Sequence, residues 1–230
     1  MTAHRTIRPT AYAALLLPLA FSMADAGAVD VYSQDFESGL LGAEWSGAGT
    51  IQDSEGLGAF GFGELHLKND GPSATLLTLS GLAAHTEVTL SFSLAMWDSI
   101  DLGADFFIVN ADGNAVISDT FGNYFPASGS EGPGTPLTPV TNGAFSDPQY
   151  GYNLGFRDSA RAVSITFGHS AASLILSFQF PQSQFAPDEA FGVDNILVTS
   201  NASAVPLPAS LPLLGLGFAG LAALRSRKKI

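Results

Sequence analysis

Three carboxylates carry the strongest hint of chemistry in this chain. Asp35 and Glu37 stand two apart in Asp35-Phe36-Glu37-Ser38-Gly39, and Asp194 lies far downstream in Phe191-Gly192-Val193-Asp194-Asn195-Ile196-Leu197-Val198. On extended backbone, residues two apart project from the same face, so Asp35 is expected beside Glu37, and Asp194 beside Ile196 and Val198. A carboxylate among apolar neighbours must be hydrogen-bonded, paired or bound to a cation. Protein cations are scarce: between 27 and 204 there are 20 acidic residues against Lys68, Arg157 and Arg161, so 3 − 20 = −17. Calcium is the plausible substitute outside a cell, taking roughly six to eight carboxylate and carbonyl oxygens. A structural Ca2+ is therefore expected on Asp35, Glu37 and Asp194, with Asp98, Asp101 and Asp105 available to complete or duplicate its shell. The alternative is that these acids cap strand ends and turns.

Other reactive patterns are missing. There is no H-E-x-x-H and no compact E-x-D-x-E, and Gly168-His169-Ser170-Ala171-Ala172 lacks the second glycine of a nucleophile elbow. His66, His85 and His169 read as singletons in turns or on the surface, and no catalytic residues are assigned. The chain reads as a non-enzyme. Between 121 and 160 a stretch rich in Gly, Pro, Ser and Asn carries Tyr124, Tyr150 and Tyr152, rings suited to the apolar face of a sugar. They suit better still a loop tucked back onto the body of the protein.

The elements that must position these groups read as strands. Thr86 to Met96 alternates, with Val88, Leu90, Phe92, Leu94 and Met96 on one face and mostly small polar residues on the other. Asp105–Asn110 and Ala115–Asp119 flank Asp112-Gly113, a dipeptide made for a tight hairpin turn. Ala162–Phe167 and Ser173–Phe180 are expected to form a second hairpin around 168–172. Further strands are expected at Val29–Phe36, Gly63–Lys68, Ala74–Leu79 and Phe191–Thr199. No helix period interrupts them, so the expected fold is all-β: an antiparallel two-sheet sandwich, most simply a jelly roll. The absence of cysteine leaves it to stand on hydrophobic burial alone.

Both ends of the chain differ from this body. His4, Arg5 and Arg8, the apolar run Ala11–Phe21 and Ala24-Asp25-Ala26 make a secretory signal peptide over 1–26, implying entry into the Sec translocon. The sandwich is assigned to 27–200 with its long loop at 121–160, a linker to 201–204 and a tail to 205–230. In the tail, Val205-Pro206-Leu207-Pro208-Ala209 precedes an apolar run and a basic stop of Arg225, Arg227, Lys228 and Lys229. The prolines confine a smooth helix to Pro212–Leu224, roughly 20 Å, which suits a temporary inner-membrane anchor better than a permanent span. The basic stop would remain cytoplasmic, leaving the proline-rich element at the outer side of that membrane.

The tail resembles the VPLPA variant of the PEP-CTERM sorting signal. That resemblance implies an exosortase as processing partner in a Gram-negative, exopolysaccharide-producing bacterium, followed by delivery to the cell surface or extracellular matrix. The two acidic segments resemble the opening and closing strands of MAM, laminin-G-like and carbohydrate-binding-module jelly rolls, in several of which such segments contribute ligands to a structural calcium. The cysteines of the MAM pattern are missing. The expected protein is thus an exported, non-enzymatic surface or matrix component, with exopolysaccharide as a possible partner. The alternatives are a carbohydrate-binding module using the 121–160 loop, or a glycan-active enzyme. The acidity disfavours nucleic acid.

Overall fold

The computed structural model describes residues 27–53, 56–98, 100, 101, 103–120, 134–136, 158–181 and 189–201, and every structural statement below concerns these. The expected signal peptide at 1–26, the sorting tail, and Tyr124, Tyr150 and Tyr152 lie outside them.

In chain order the strands are β1 (Ala28–Gln34), β2 (Trp45–Gly47), β3 (Thr50–Asp53), β4 (Leu65–Asn69), β5 (Thr75–Ser80), β6 (Glu87–Asp98), β7 (Phe106–Ala111), β8 (Asn114–Thr120), β9 (Thr135–Pro136), β10 (Ser159–Gly168), β11 (Ser173–Gln179) and β12 (Glu189–Asn201). A 3-10 turn at Leu57–Phe60 is the one helical piece among the described residues. The strands pair antiparallel into two sheets, β3-β4-β12-β6-β10-β9 with β1 also on β12, and β2-β5-β11-β7-β8. This is the expected all-β jelly-roll sandwich.

Alternation on β6 builds the first sheet. Val88, Leu90, Phe92, Leu94 and Met96 are all buried, facing Leu174, Leu176 and Phe178 of the second sheet in one core. On the opposite face, hydroxyls pair across to β10, Thr89 with Thr166 at 2.8 Å and Ser91 with Ser164 at 2.9 Å. Beyond Ser93 that outer face changes character. Ala95 and Trp97 join Ala160, Ala190, Leu57 and Phe62 in a second apolar cluster under the 3-10 turn.

The Asp112-Gly113 turn forms as expected, with φ of 48° and 80° joining β7 to β8. The hairpin expected around 168–172 does not. β10 pairs with β6 and β9, whereas β11 pairs with β5 and β7, so the segment crosses from one sheet to the other. Alternation cannot separate the two outcomes, because the apolar faces of both strands are buried whether they lie side by side or opposite one another.

One irregularity reorients the site. The β12–β6 register shifts between Asp194 and Leu197, and Asn195 there has φ of 51°, a bulge geometry that asparagine tolerates better than most residues. Phe191 and Val193 point into the core before the bulge, and Ile196 and Val198 after it. Asp194 consequently does not share a face with Ile196 and Val198. It projects outward, opposite Ser93 of β6.

Candidate functional site

β12 is lined on one side by two strands in succession. β1 runs from Ala28 opposite Asn201 to Gln34 opposite Ile196, and β4 takes over with Leu67 opposite Val193. The bulge lies where one gives way to the other, and there the chain leaves β1 through Asp35-Phe36-Glu37. Phe36 turns left-handed at φ 59° and is fully buried, its ring 5.5 Å from that of Trp45. Asp35 and Glu37 therefore leave the strand in a turn and do not share a strand face, although both end close enough to Asp194 to act on it electrostatically.

Asp194 has no solvent exposure. Its Oδ2 accepts from Gly63 N at 2.8 Å and from Asn195 Nδ2 at 3.3 Å, and its Oδ1 from Asn195 N at 2.7 Å. Burial pushes its carboxyl up to about 6; the amides of Gly63 and Asn195 resist, and repulsion from Glu37 and Asp35 adds to the rise. Glu37 Oε1 accepts from Leu65 N at 3.1 Å, and Asp35 Oδ1 from Glu37 N at 3.2 Å. A Cβ at Gly63 would overlap Glu37 Oε1, so a side chain there would displace the tip of the exposed Glu37 side chain. Asn195 Nδ2 also reaches Gly61 O at 2.8 Å and Ser93 Oγ at 3.3 Å, tying the covering segment to both strands. Beside the cluster a surface pocket is lined by Ser33, Gln34, Asp35, Asn195, Ile196 and Leu197.

The donor chemistry suits a hard, oxygen-seeking cation, which would relieve the repulsion around Asp194. The present placement is looser than a cage: among the described residues no three acidic or imidazole side chains converge as metal ligands. Asp35 and Glu37 are exposed and free of strand constraint, whereas Asp194 is held. Asp98, Asp101 and Asp105 are not gathered in. Asp98 pairs with Glu189, five residues along β12 from Asp194 and thus about 16 Å away. Asp105 Oδ2 instead accepts from Asp101 N at 2.6 Å in a local turn.

Two groups of histidines escape the sequence reading. On the outer cluster His66 is fully buried, its ring stacked 5.2 Å from Trp97, and Lys68 Nζ lies 4.4 Å from the Trp97 ring centre. Burial, reinforced by the Lys68 charge, pulls the His66 imidazole down to about 4. His85 and His169, read as unrelated singletons, meet edge to edge with ring centres 4.9 Å apart and ring planes 20° from parallel. No local signal joins them, since the sheet crossing brings together residues 84 positions apart.

The family model for the PEP-CTERM protein-sorting motif matches residues 204–228. None of the curated proteins matches the sequence. Among solved structures, the CBM22-1 xylan-binding domain from Paenibacillus barcinonensis Xyn10C is 12% identical, with 79% of this chain and 99% of that one covered and a TM-score of 0.43. A cleaved adhesin domain of Lys-gingipain from Porphyromonas gingivalis is 11% identical, with 76% and 99% covered and a TM-score of 0.45. A family 35 carbohydrate-binding module from Clostridium thermocellum is 12% identical, with 75% and 98% covered and a TM-score of 0.36. The chain thus carries a sorting motif that marks an exported protein for exosortase processing. Among the described residues no helix is long and apolar enough to cross a membrane.

Proposed function

We propose that this is a non-enzymatic component of the cell surface or extracellular matrix, delivered as a folded sandwich and released from a transient inner-membrane anchor by an exosortase. The sorting motif at 204–228 carries this reading. The strand pairing supports it: Ala28 sits opposite Asn201, so both sorted ends leave the sandwich at one pole. The three residues 202–204 then separate the last described strand residue from Val205, a span of at most about 14 Å. The Asp35–Glu37–Asp194 cluster lies about seven residues further along β1, some 23 Å from that pole. Mass spectrometry of the protein recovered from producing cells tests the itinerary: the chain is expected to start near residue 27 and to lack its apolar tail, and retention of the tail beside an intact exosortase would overturn it.

Calcium belongs to the same reading. Asp194 would supply the fixed oxygens and Asp35 and Glu37 the movable ones, the cation cancelling repulsion that the fold otherwise bears. Because protons compete for Asp194, millimolar calcium is expected to raise the melting temperature more at pH 7.5 than at pH 5. No rise at either pH would remove calcium from the account. Sugar recognition through Tyr124, Tyr150 and Tyr152 is the second reading, and a glycan array with the triple Tyr→Ala variant as control separates it from a purely structural role.

A further inference from the structure

The β5–β6 corner (81–86) and the β10–β11 corner (169–172) both cross between the sheets at one end of the sandwich. They are bonded directly, Thr86 O accepting from His169 N and Ala172 O from Leu82 N, each at 3.0 Å. Between them the two imidazoles, near-coplanar and edge to edge, make a continuous chain. His85 Nδ1 lies 2.6 Å from Ala83 O, His85 Nε2 lies 2.7 Å from His169 Nδ1, and His169 Nε2 lies 3.1 Å from Asp112 Oδ2. Asp112 Oδ1 accepts from Ile175 N at 2.9 Å, which fixes the far end. His85 is 3% exposed and the His169 side chain 7%, so water cannot readily replace the contact between the rings, whereas the Asp112 carboxylate at the outer end is 40% exposed.

The proton count follows from which atoms can donate. A carbonyl only accepts, so His85 Nδ1 carries hydrogen. The Asp112 carboxylate only accepts, so His169 Nε2 carries one too. The contact between the rings needs a third. Two neutral imidazoles have two ring hydrogens between them, so the complete chain holds one extra proton, with the pair at +1 and Asp112 at −1. The extra proton lies between the two rings, where a hydrogen is otherwise lacking. With no extra proton two lone pairs would face each other between the rings, and with two extra protons two N–H groups would. Among the described residues Glu87 also lies at this junction, opposite Gly168 at the head of β6.

We propose that His85, His169 and Asp112 form a proton-binding site that takes up a single proton and with it clamps the two sheet-crossing corners to the β7–β8 turn. The clamp works at the pole where the carboxyl-terminal strand ends, since Asn201 Oδ1 accepts from the amides of Thr86 and Glu87 at 2.9 and 2.8 Å. Its pH dependence is two-sided. The unfolded chain holds two protons on these histidines in acid, none in base, and an average of one near pH 6.5. Below that point the folded state binds fewer protons than the unfolded and stability rises with pH; above it the folded state binds more and stability falls.

The test compares the full-length protein with the His85→Gln/His169→Gln variant, whose amides still hydrogen-bond but do not titrate. The difference in unfolding equilibrium constant is expected to trace a dome centred near pH 6.5, with flanks approaching tenfold per pH unit. A flat or one-sided difference would overturn the proposal. Histidine-selective NMR on the unmodified protein decides independently of whether the variant folds. His85 and His169 are expected to titrate jointly in two well-separated steps. Two superposed, independent titrations would overturn it.

Discussion

At the residue scale, two buried groups pull stability in opposite directions with pH. Folded Asp194 keeps its proton to about pH 6, whereas an ordinary aspartate releases it near 4, so its contribution is complete below pH 4 and is lost as pH rises through 6. Folded His66 stays neutral down to about pH 4, so its contribution is complete above about pH 6.5 and is lost as pH falls through 4. The two offsets are of similar size and opposite slope, so between pH 4 and 6 they largely cancel. Removing one should expose the other. Urea titrations at pH 4.5 and 7 are expected to show Asp194→Asn losing more stability on acidification than the parent, and His66→Phe losing less. Equal pH slopes in all three proteins would refute the opposition.

At the scale of elements, β12 carries the decisive irregularities. A side chain at Gly192 would place Cβ 2.5 Å from the Trp97 ring and 2.7 Å from His66, so Gly192→Ala should cost about 1–3 kcal/mol through overpacking, read as a lower denaturant midpoint at unchanged m. Asn195 combines a left-handed backbone with bonds to Gly61 and Ser93. Asn195→Gly keeps the backbone and loses the bonds, whereas Asn195→Ala loses both. The alanine variant is expected to be the less stable by about 1 kcal/mol in the same titrations. The strands themselves were legible, because burying one face of a strand imposes a period of two, as on β6. The bulge left a fainter trace, two polar residues in succession, Asp194 and Asn195, that break the alternation between Val193 and Ile196, and pairing with Ser91 and Ser93 is what identifies it as a slip. The relation of the acids was not legible: Asp35 and Glu37 come near Asp194 through a turn, not through a shared strand face.

At the scale of the whole molecule, the body between 27 and 204 carries a net charge of −17. Self-repulsion of that size destabilises a compact state and is screened by salt, so raising NaCl from about 20 to 300 mM should raise the melting temperature. Calcium should achieve a comparable rise at millimolar concentration if it binds the cluster, and no more than equal ionic strength of NaCl if it does not. The sequence alone determined the sorting address, the acidity and the sandwich class, because each is written in local composition or in a short repeating period. Which strands pair, where β12 slips, and that His85 meets His169 were decided only by the tertiary structure. Those facts depend on contacts between segments tens of residues apart, and the alternation of a strand is the same whichever partner lies beside it.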